Sequence, residues 1–399
     1  MSRRDKMIDA KSSKNDEFYT QFSDIQKELN AYLEYNPNVF KNKTILLPCD
    51  DPEYSNFTKF FAQNFERFGL KKLISTSYAN EKKEFIFVQL SLFEQNSPKY
   101  DKSKSQSHGK IFTLDKDMNK NGKVDINDLQ WDYLDGDGDF RSDEVKKLRD
   151  EADIIITNPP FSLFREFLNW INEKNKEFLI IGNINCLTYK EVFSLVKNNK
   201  AWLGNGMGRW ISGFIVPKDY DLYGTEARID KDGNRIVSTN NCLWLTNIEH
   251  GKRHQPLELM TMEDNIRYSK HKQVRDLKYP KYCNYDAIDV PFTDAIPSDY
   301  KGIMGVPITF MDKYNPQQFK IIALGIVGSC NFTCERKMEI LDKNGNGTGK
   351  YTVNAKGTLY RKYIPEIDKS PAFKDVETGE LYSSIYARIL IEHIGLKGE

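Results

Sequence analysis

Asn158, Pro159, Pro160 and Phe161 follow directly on an apolar run, Ile154–Thr157, that Asp153 precedes. Two adjacent prolines cannot continue a strand's hydrogen-bond ladder, so the chain must stop and turn there. Each proline lacks an N–H but keeps its carbonyl. The tip therefore offers acceptors, namely the Asn158 side-chain oxygen and the Pro159 carbonyl. An aromatic ring follows at once. Two acceptors and a stacking face fit an aromatic primary amine. Holding both amine hydrogens draws the nitrogen towards tetrahedral geometry and localises its lone pair. No strong base is then needed against an electrophile such as a sulfonium methyl, and the gain lies in orientation and in favouring the charge that develops. A bare Pro-Pro turn beside a packed Phe is ordinary structure. The apolar run and the Asn at its end turn the reading towards catalysis.

Such a tip needs a rigid base. Short apolar runs at Thr44–Leu47, Lys72–Thr76, Ile154–Thr157, Phe178–Gly182, Phe214–Pro217 and Leu243–Asn247 read as strands. Helical spacing covers Asn56–Phe68, Phe164–Glu173 and Glu191–Lys197. Strands alternating with helices predict a mostly parallel α/β sheet, whose ligands bind at the carboxyl ends of the strands. After His250 the texture becomes basic, Tyr- and Pro-rich and irregular, with strand-like runs at Ile303–Phe310, Lys320–Val327 and Ser383–Ile391. This predicts a second, smaller α+β domain.

With 399 residues the chain can build two cores, and 39% hydrophobic with 29% charged residues is ordinary for a globular protein. No run of about 18 apolar residues exists, so no membrane span is expected. The basic N-terminus lacks an apolar signal core, and the six cysteines are scattered. Both point to a cytoplasmic protein with reduced thiols. The formal net charge is +1, yet the charges are segregated. Asp115–Asp153 is acid-rich, whereas Arg267, Lys270, Lys272, Arg275, Lys278 and Lys281 crowd one stretch against Asp276, with tyrosines interleaved. That suits a protein meeting an anion on one side, and duplex phosphates are the natural partner. A plain solvated face is the other reading of the same run.

Other segments carry a resemblance. Asn15-Asp16-Glu17-Phe18-Tyr19-Thr20 resembles the Phe-Tyr-Thr segment that precedes the cofactor fold of adenine DNA methyltransferases. Gly138-Asp139-Phe140 resembles their adenine-contacting segment, and Asn158–Phe161 their catalytic motif. Together with the stretches Asp50–Phe57 and Gly305–Phe310, the chain is similar to the EcoRI-type adenine-specific DNA methyltransferases, over about residues 15–310. The resemblance implies a Rossmann-like S-adenosylmethionine-dependent methyltransferase sheet with a smaller α+β DNA-recognition region. The catalytic domain would take residues 1–250 and the recognition region 251–399. It implies that Asp50 or Asp51 binds the methionine or ribose part of the cofactor, and that Asp139 accepts from its adenine with Phe140 beside it. Phe18, Tyr19 and Thr20 would close over the methionine end. Asn158, Pro159, Pro160 and Phe161 would line the target-amine pocket. Where many methyltransferases have Gly-x-Gly after the first strand, this chain has Pro48-Cys49-Asp50-Asp51-Pro52. The reaction expected is transfer of a methyl group to the N6 amine of a flipped-out adenine in double-stranded DNA. A monomer is expected, with room for a cognate restriction endonuclease as companion. The same catalytic quartet also serves an RNA base or a protein glutamine. A rival of another class is a calcium-binding nucleic-acid module without catalysis.

Weaker signals have plainer readings. Asp117-x-Asn119-x-Asn121-Gly122 with Asp125 and Asp128 fits much of a calcium loop, but an Asx-turn-rich insertion explains it as well. Gly204–Gly208 looks like a phosphate loop yet lacks the strand–turn–helix context, so it reads as a flexible loop, with Trp210 or Phe214 as a second stacking face nearby. Cys330, Cys334, His250 and His254 could be assembled into a zinc site, but buried thiols are the simpler reading, and no metal is expected.

Overall fold

A computed structural model of the chain describes residues 19–50, 55–79, 99–101, 103–105, 107–216, 222, 227–238, 240–333, 336–353 and 355–395. These residues form two compact units. One comprises the described residues up to 186 together with 201–251, and the other comprises 187–200 with the described residues from 252 onward.

The first unit carries, in chain order, β1 (Tyr19–Thr20), β2 (Thr44–Leu47), β3 (Lys72–Thr76), β4 (Lys110–Leu114), β5 (Gln130–Tyr133) and β6 (Ile154–Thr157). It continues with β7 (Glu177–Asn183), β8 (Trp202–Met207), β9 (Phe214–Val216), β10 (Arg228–Ile229), β11 (Arg235–Val237) and β12 (Cys242–Thr246). Apart from a single turn of helix at Phe65–Phe68, its α-helices are α1 (Phe22–Tyr35), α2 (Asn56–Gln63), α3 (Asp143–Glu151) and α4 (Phe164–Asn172) among the described residues. The main sheet has eight strands in the order β5-β4-β3-β2-β6-β7-β12-β8. The inner strands β3, β2, β6 and β7 run parallel. Every residue of β2, β6 and β12 is buried, which is why they read as unbroken apolar runs. The expectation of a mostly parallel sheet needs correcting. The sheet is mixed, because β4, β5, β12 and β8 join it antiparallel at its flanks.

The helices bury the faces their spacing dictates. Ile25, Leu29 and Tyr32 of α1 and Phe57, Phe60 and Phe61 of α2 pack in one core with Ile45, Leu47, Ile154, Ile156, Leu179, Ile181 and Trp244. In α4, Phe164, Phe167, Leu168 and Ile171 form the buried stripe of an amphipathic helix. The helix expected over Asn56–Phe68 is broken. Asn64 leaves helical geometry at φ −108°, ψ 13°, and its side-chain amide donates to the Phe60 carbonyl.

The second unit holds α5 (Lys190–Lys197), α6 (Met262–Tyr268) and α7 (Lys272–Leu277). Its four-stranded sheet is built from β13 (Ile288–Asp289), β14 (Met304–Pro307), β15 (Phe319–Leu324) and β21 (Arg388–His393), in the order β13-β14-β21-β15. A five-stranded sheet contains β16 (Met338–Leu341), β17 (Gly347–Thr352), β18 (Leu359–Lys362), β19 (Phe373–Asp375) and β20 (Leu381–Ile385). Two expected strands are revised. The run Ile303–Phe310 is strand only to Pro307 and then coils into a short helical turn. The run Ser383–Ile391 is two strands in different sheets, parted where Ala387 adopts φ +56°. Buried Asp289 accepts from Arg361 at 3.2 Å, Arg388 at 2.9 Å and Tyr282 at 2.8 Å. Arg361 also forks onto Asp368 at 2.7 and 2.9 Å. Such charges are tolerable inside only because each is paired. Among the described residues, no helix is long and apolar enough to cross a membrane.

Candidate active site

Asn158–Phe161 leaves the carboxyl end of β6, next to the carboxyl end of its parallel neighbour β2. One buried carboxylate joins these ends. Asp50 takes the Ser55 hydroxyl on Oδ1 at 2.9 Å and the Thr157 hydroxyl on Oδ2 at 2.5 Å. Its own carbonyl accepts from Ser75 Oγ at 2.7 Å, and Thr76 Oγ1 donates to the Pro48 carbonyl at 3.1 Å. Ser55 caps α2 by accepting from Phe57 N. Asp50 thus ties the ends of β2, β3 and β6 and the start of α2 into one joint. It was expected as a cofactor contact. Its carboxylate holds the residue before Asn158. Asp51 and Phe18 lie outside the described residues.

The short strand β1 reaches the same place. Thr20 lies opposite Phe214 of β9, and the Phe214 ring meets Phe161 edge-on at 6.3 Å between centroids. Asn56 Nδ2, at the start of α2, donates to the Thr20 carbonyl at 2.9 Å. The Thr20 hydroxyl is buried and has no hydrogen-bond partner among the described residues. Tyr19 is the half-buried neighbour of Thr20 on the strand.

Two acids of α1, unremarked in the sequence, brace this region. Glu28 accepts from Asn205 N at 2.7 Å and Gly206 N at 2.8 Å, and from Tyr32 Oη at 3.0 Å. A Cβ on Gly204 would sit 2.2 Å from Glu28 Oε1 and 2.7 Å from Trp244 Cβ. The glycines of Gly204–Gly208 therefore permit close packing of β8, and the expected flexible loop is an edge strand up to Met207. Asp24 accepts from Ser212 N and Ser212 Oγ, each at 2.8 Å, and its burial raises its pKa above the ordinary carboxylate value. Acids at i and i+4 share a helix face, and that spacing was the available signal.

Gly138-Asp139-Phe140 packs beside the end of β3. Gly138, at φ +81°, comes so near that a Cβ would lie 2.1 Å from the Ser77 carbonyl, so only glycine fits. Ala79 N donates to the Asp137 carbonyl at 2.7 Å. Asp139 is half-buried and is forked by Arg141, with Nε on Oδ1 at 2.9 Å and Nη2 on Oδ2 at 2.6 Å. Phe140 is buried against Phe167 and Trp170 of α4, with centroids 5.1 and 5.8 Å away.

The basic stretch lies on α6, α7 and their flanks in the second unit. Arg267 pairs with Glu263 one turn back, Lys270 with Asp294 at 2.6 Å and Lys272 with Asp276 at 4.0 Å. Arg275 donates to the Ser269 carbonyl, and Lys278 ends α7 at φ +59°. Tyr268 is exposed, but Tyr279 and Tyr282 are buried core residues. In the acid-rich insertion, Asp117 accepts from Asn121 N and Gly122 N, and Asp128 from Met118 N, Asn119 N and Asp125 N. Asn119, Asn121 and Asp125 each accept from the backbone N two residues on, at 3.0, 2.8 and 2.8 Å, which are Asx turns. His250 Nε2 lies 2.9 Å from the Leu203 carbonyl, and Cys334 is outside the described residues. Among the described residues no group of three or more His, Cys, Asp or Glu could hold a metal ion.

Comparison with known proteins agrees with the family resemblance read from the sequence. The family described as "Adenine-specific methyltransferase EcoRI" matches residues 6–394. The chain is 49% identical over 313 residues to the Type II methyltransferase M.EcoRI of Escherichia coli, covering 78% of this chain and 87% of that one. It is 35% identical over 315 residues to the Type II methyltransferase M.MgeORF184P of Mycoplasma genitalium, covering 78% and 84%. The Type II methyltransferase M.MpnI of Mycoplasma pneumoniae is also 35% identical over 315 residues, covering 78% and 83%. No solved structure matches the chain.

Proposed function

The chain belongs to the family of EcoRI-type adenine-specific methyltransferases, and on that premise we infer that the Asn158–Phe161 turn is where it methylates adenine in DNA. Site-specific methylation of DNA adenine is its function. The observation that supports this site most is the Asp50 joint. Thr157, bonded to Asp50, immediately precedes Asn158, so the turn starts from a fixed point at the strand ends. The sheet of the first unit serves as the Rossmann-like catalytic sheet of a domain taken as residues 1–250. Residues 251–399 serve as the DNA-recognition region, whose Arg267, Lys270, Lys272, Arg275 and Lys278 approach phosphates.

The methyl donor in this reading is S-adenosylmethionine. The residues present fit it, because the buried Thr20 hydroxyl has a bond to offer at the strand ends, and the Asp139 carboxylate, forked by Arg141, remains a hydrogen-bond acceptor next to Gly138, which packs on Ser77 just after β3. Tyr19 and Thr20 would hold the methionine end, with Asp139 and Phe140 at the adenine end. Phe18 and Asp51 would contribute as well. When bound, the donor supplies a methyl group on a positively charged sulfur, an electrophile that a neutral amine attacks directly.

The rest is the work of the chain's own groups. Extruding the adenine costs roughly a few kcal/mol. Stacking on Phe161 returns about 1–3 kcal/mol by analogy with single-strand binders. The Asn158 side-chain oxygen and the Pro159 carbonyl accept the two N6 hydrogens, and Pro160 keeps the turn stiff. The nitrogen lone pair then points at the incoming methyl carbon, and the gain is orientation together with stabilisation of the charge growing on N6. Methylation of an RNA base or a protein glutamine would use the same acceptors. The family's adenine specificity and its Type II relatives favour DNA.

The test is direct. Plasmid DNA, an RNA and a bulk protein are each incubated with the purified chain and methyl-labelled S-adenosylmethionine. Label is expected in N6-methyladenine from the plasmid alone. Label in RNA or in methylglutamine instead would overturn the reading.

A further inference from the structure

Trp210 stands 66% exposed at the tip of the turn Gly208–Trp210, between β8 and β9. The arm that carries it is fixed at several points. Gly208 takes φ +63°, and Ile211, next in the chain, is buried. Ser212 is bonded through its N and Oγ to Asp24, and Gln21 Nε2 donates to Ser212 Oγ at 2.6 Å and to the Gly213 carbonyl at 2.9 Å. Gly213 has φ +120°, and a Cβ there would lie 2.7 Å from the Val237 carbonyl. The next residue is Phe214, whose ring meets Phe161. An indole held out to solvent thus sits on a braced arm whose other end touches the catalytic turn. A slack loop would fold so large an apolar ring onto the nearest apolar surface.

We propose that Trp210 is a positioning residue that stacks into the duplex beside the target and occupies the space the adenine vacates. This rests on the reading of Asn158–Phe161 given above. An aromatic face stacks on any base, and apolar side chains of this kind wedge between base steps and unstack them. Such a residue acts on the extrusion equilibrium. It touches neither the donor nor N6.

That separation gives the test. Duplex oligonucleotides carry the site mapped by methylation of plasmid DNA, with the target adenine either paired with thymine or set opposite an abasic position. Single-turnover methylation is measured for the natural chain, Trp210→Ala, Trp210→Phe and Asn158→Ala. Trp210→Ala should be slower on the paired duplex by roughly ten- to hundredfold. It should be close to natural opposite the abasic position, where extrusion is cheap. Trp210→Phe should recover most of the rate, and unchanged S-adenosylmethionine affinity and melting temperature should show the fold intact. Asn158→Ala, inactive on both duplexes, upholds the catalytic reading independently of Trp210. Natural rates for Trp210→Ala on both duplexes, or an equal loss on both, would overturn the proposal.

Discussion

In the proposed site, Thr20 would serve binding at the expense of folding. A buried hydroxyl without a partner costs about 1–3 kcal/mol, and the Thr20 hydroxyl meets none among the described residues. Thr20→Val keeps the shape and removes the polar atom. The unliganded variant should melt at the same temperature or higher, and its affinity for S-adenosylmethionine should fall roughly tenfold, the usual worth of one hydrogen bond. Calorimetry of the free protein and titration with the donor check both halves. Lost stability with unchanged affinity would make Thr20 a plain core residue. The turn at Asn158–Phe161 was legible residue by residue, since Pro-Pro after an apolar run leaves the backbone little choice. Asp50 was legible only as an acid after a strand. One of its partners, Ser55, is 5 residues away, but the other, Thr157, is 107 away, and no local pattern announces such a pair.

At the scale of elements, burial decided what the sequence disclosed. The strands β2, β3 and β6 sit where their apolar runs begin and end, because each is covered almost throughout. The flanking β5 alternates exposed and half-buried residues, and its antiparallel pairing with β4 left no comparable signature. The glycines of β8 suggested a loop. Gly204 is there because Glu28 and Trp244 leave no room for a side chain. In the second unit, the Asp289–Arg361–Asp368 network was invisible for a similar reason, as its members come from separate elements. It makes a prediction with a sign. Burial pushes the Asp368 carboxyl up, but hydrogen bonds from Arg361 and Ser383 outweigh this and hold it below its ordinary value of 3.8. A depressed carboxylate contributes stability that is present above its unfolded value and lost as pH falls through the folded one. Asp368→Asn should therefore cost about 1.5–3 kcal/mol near neutral pH, the range for a hydrogen bond to a charged group. The gap to the natural chain should close as the medium is acidified below 3.8. A gap independent of pH in melting curves would show that the carboxylate's charge is irrelevant there.

For the whole molecule, the question is how a chain of net charge +1 holds a polyanion. Counting charges along Arg267–Lys278 suggested a phosphate stripe. It could not show that Glu263 and Asp294 join Asp276 in answering several of those cations. Even so, Lys270 and Lys272 keep side-chain exposures of 74% and 83%, and exposed pairs of this kind are weak enough to exchange for phosphates. Replacing both with alanine should flatten the slope of log affinity against log salt by up to about 1.8 units, roughly 0.9 for each lost phosphate contact. The loss should be equal on specific and non-specific DNA. An unaltered slope would place the phosphate contacts elsewhere. Docking matters only if Asn158 then holds the amine. Single-turnover transfer to plasmid DNA by Asn158→Ala, with donor and DNA affinities measured on the same preparation, tests it most directly. If Asn158 holds the amine, transfer should fall on the order of 10²–10³-fold or more, as for loss of a hydrogen-bonding group that acts at the transition state, with both affinities nearly unchanged. Transfer within a few-fold of the natural chain would contradict it.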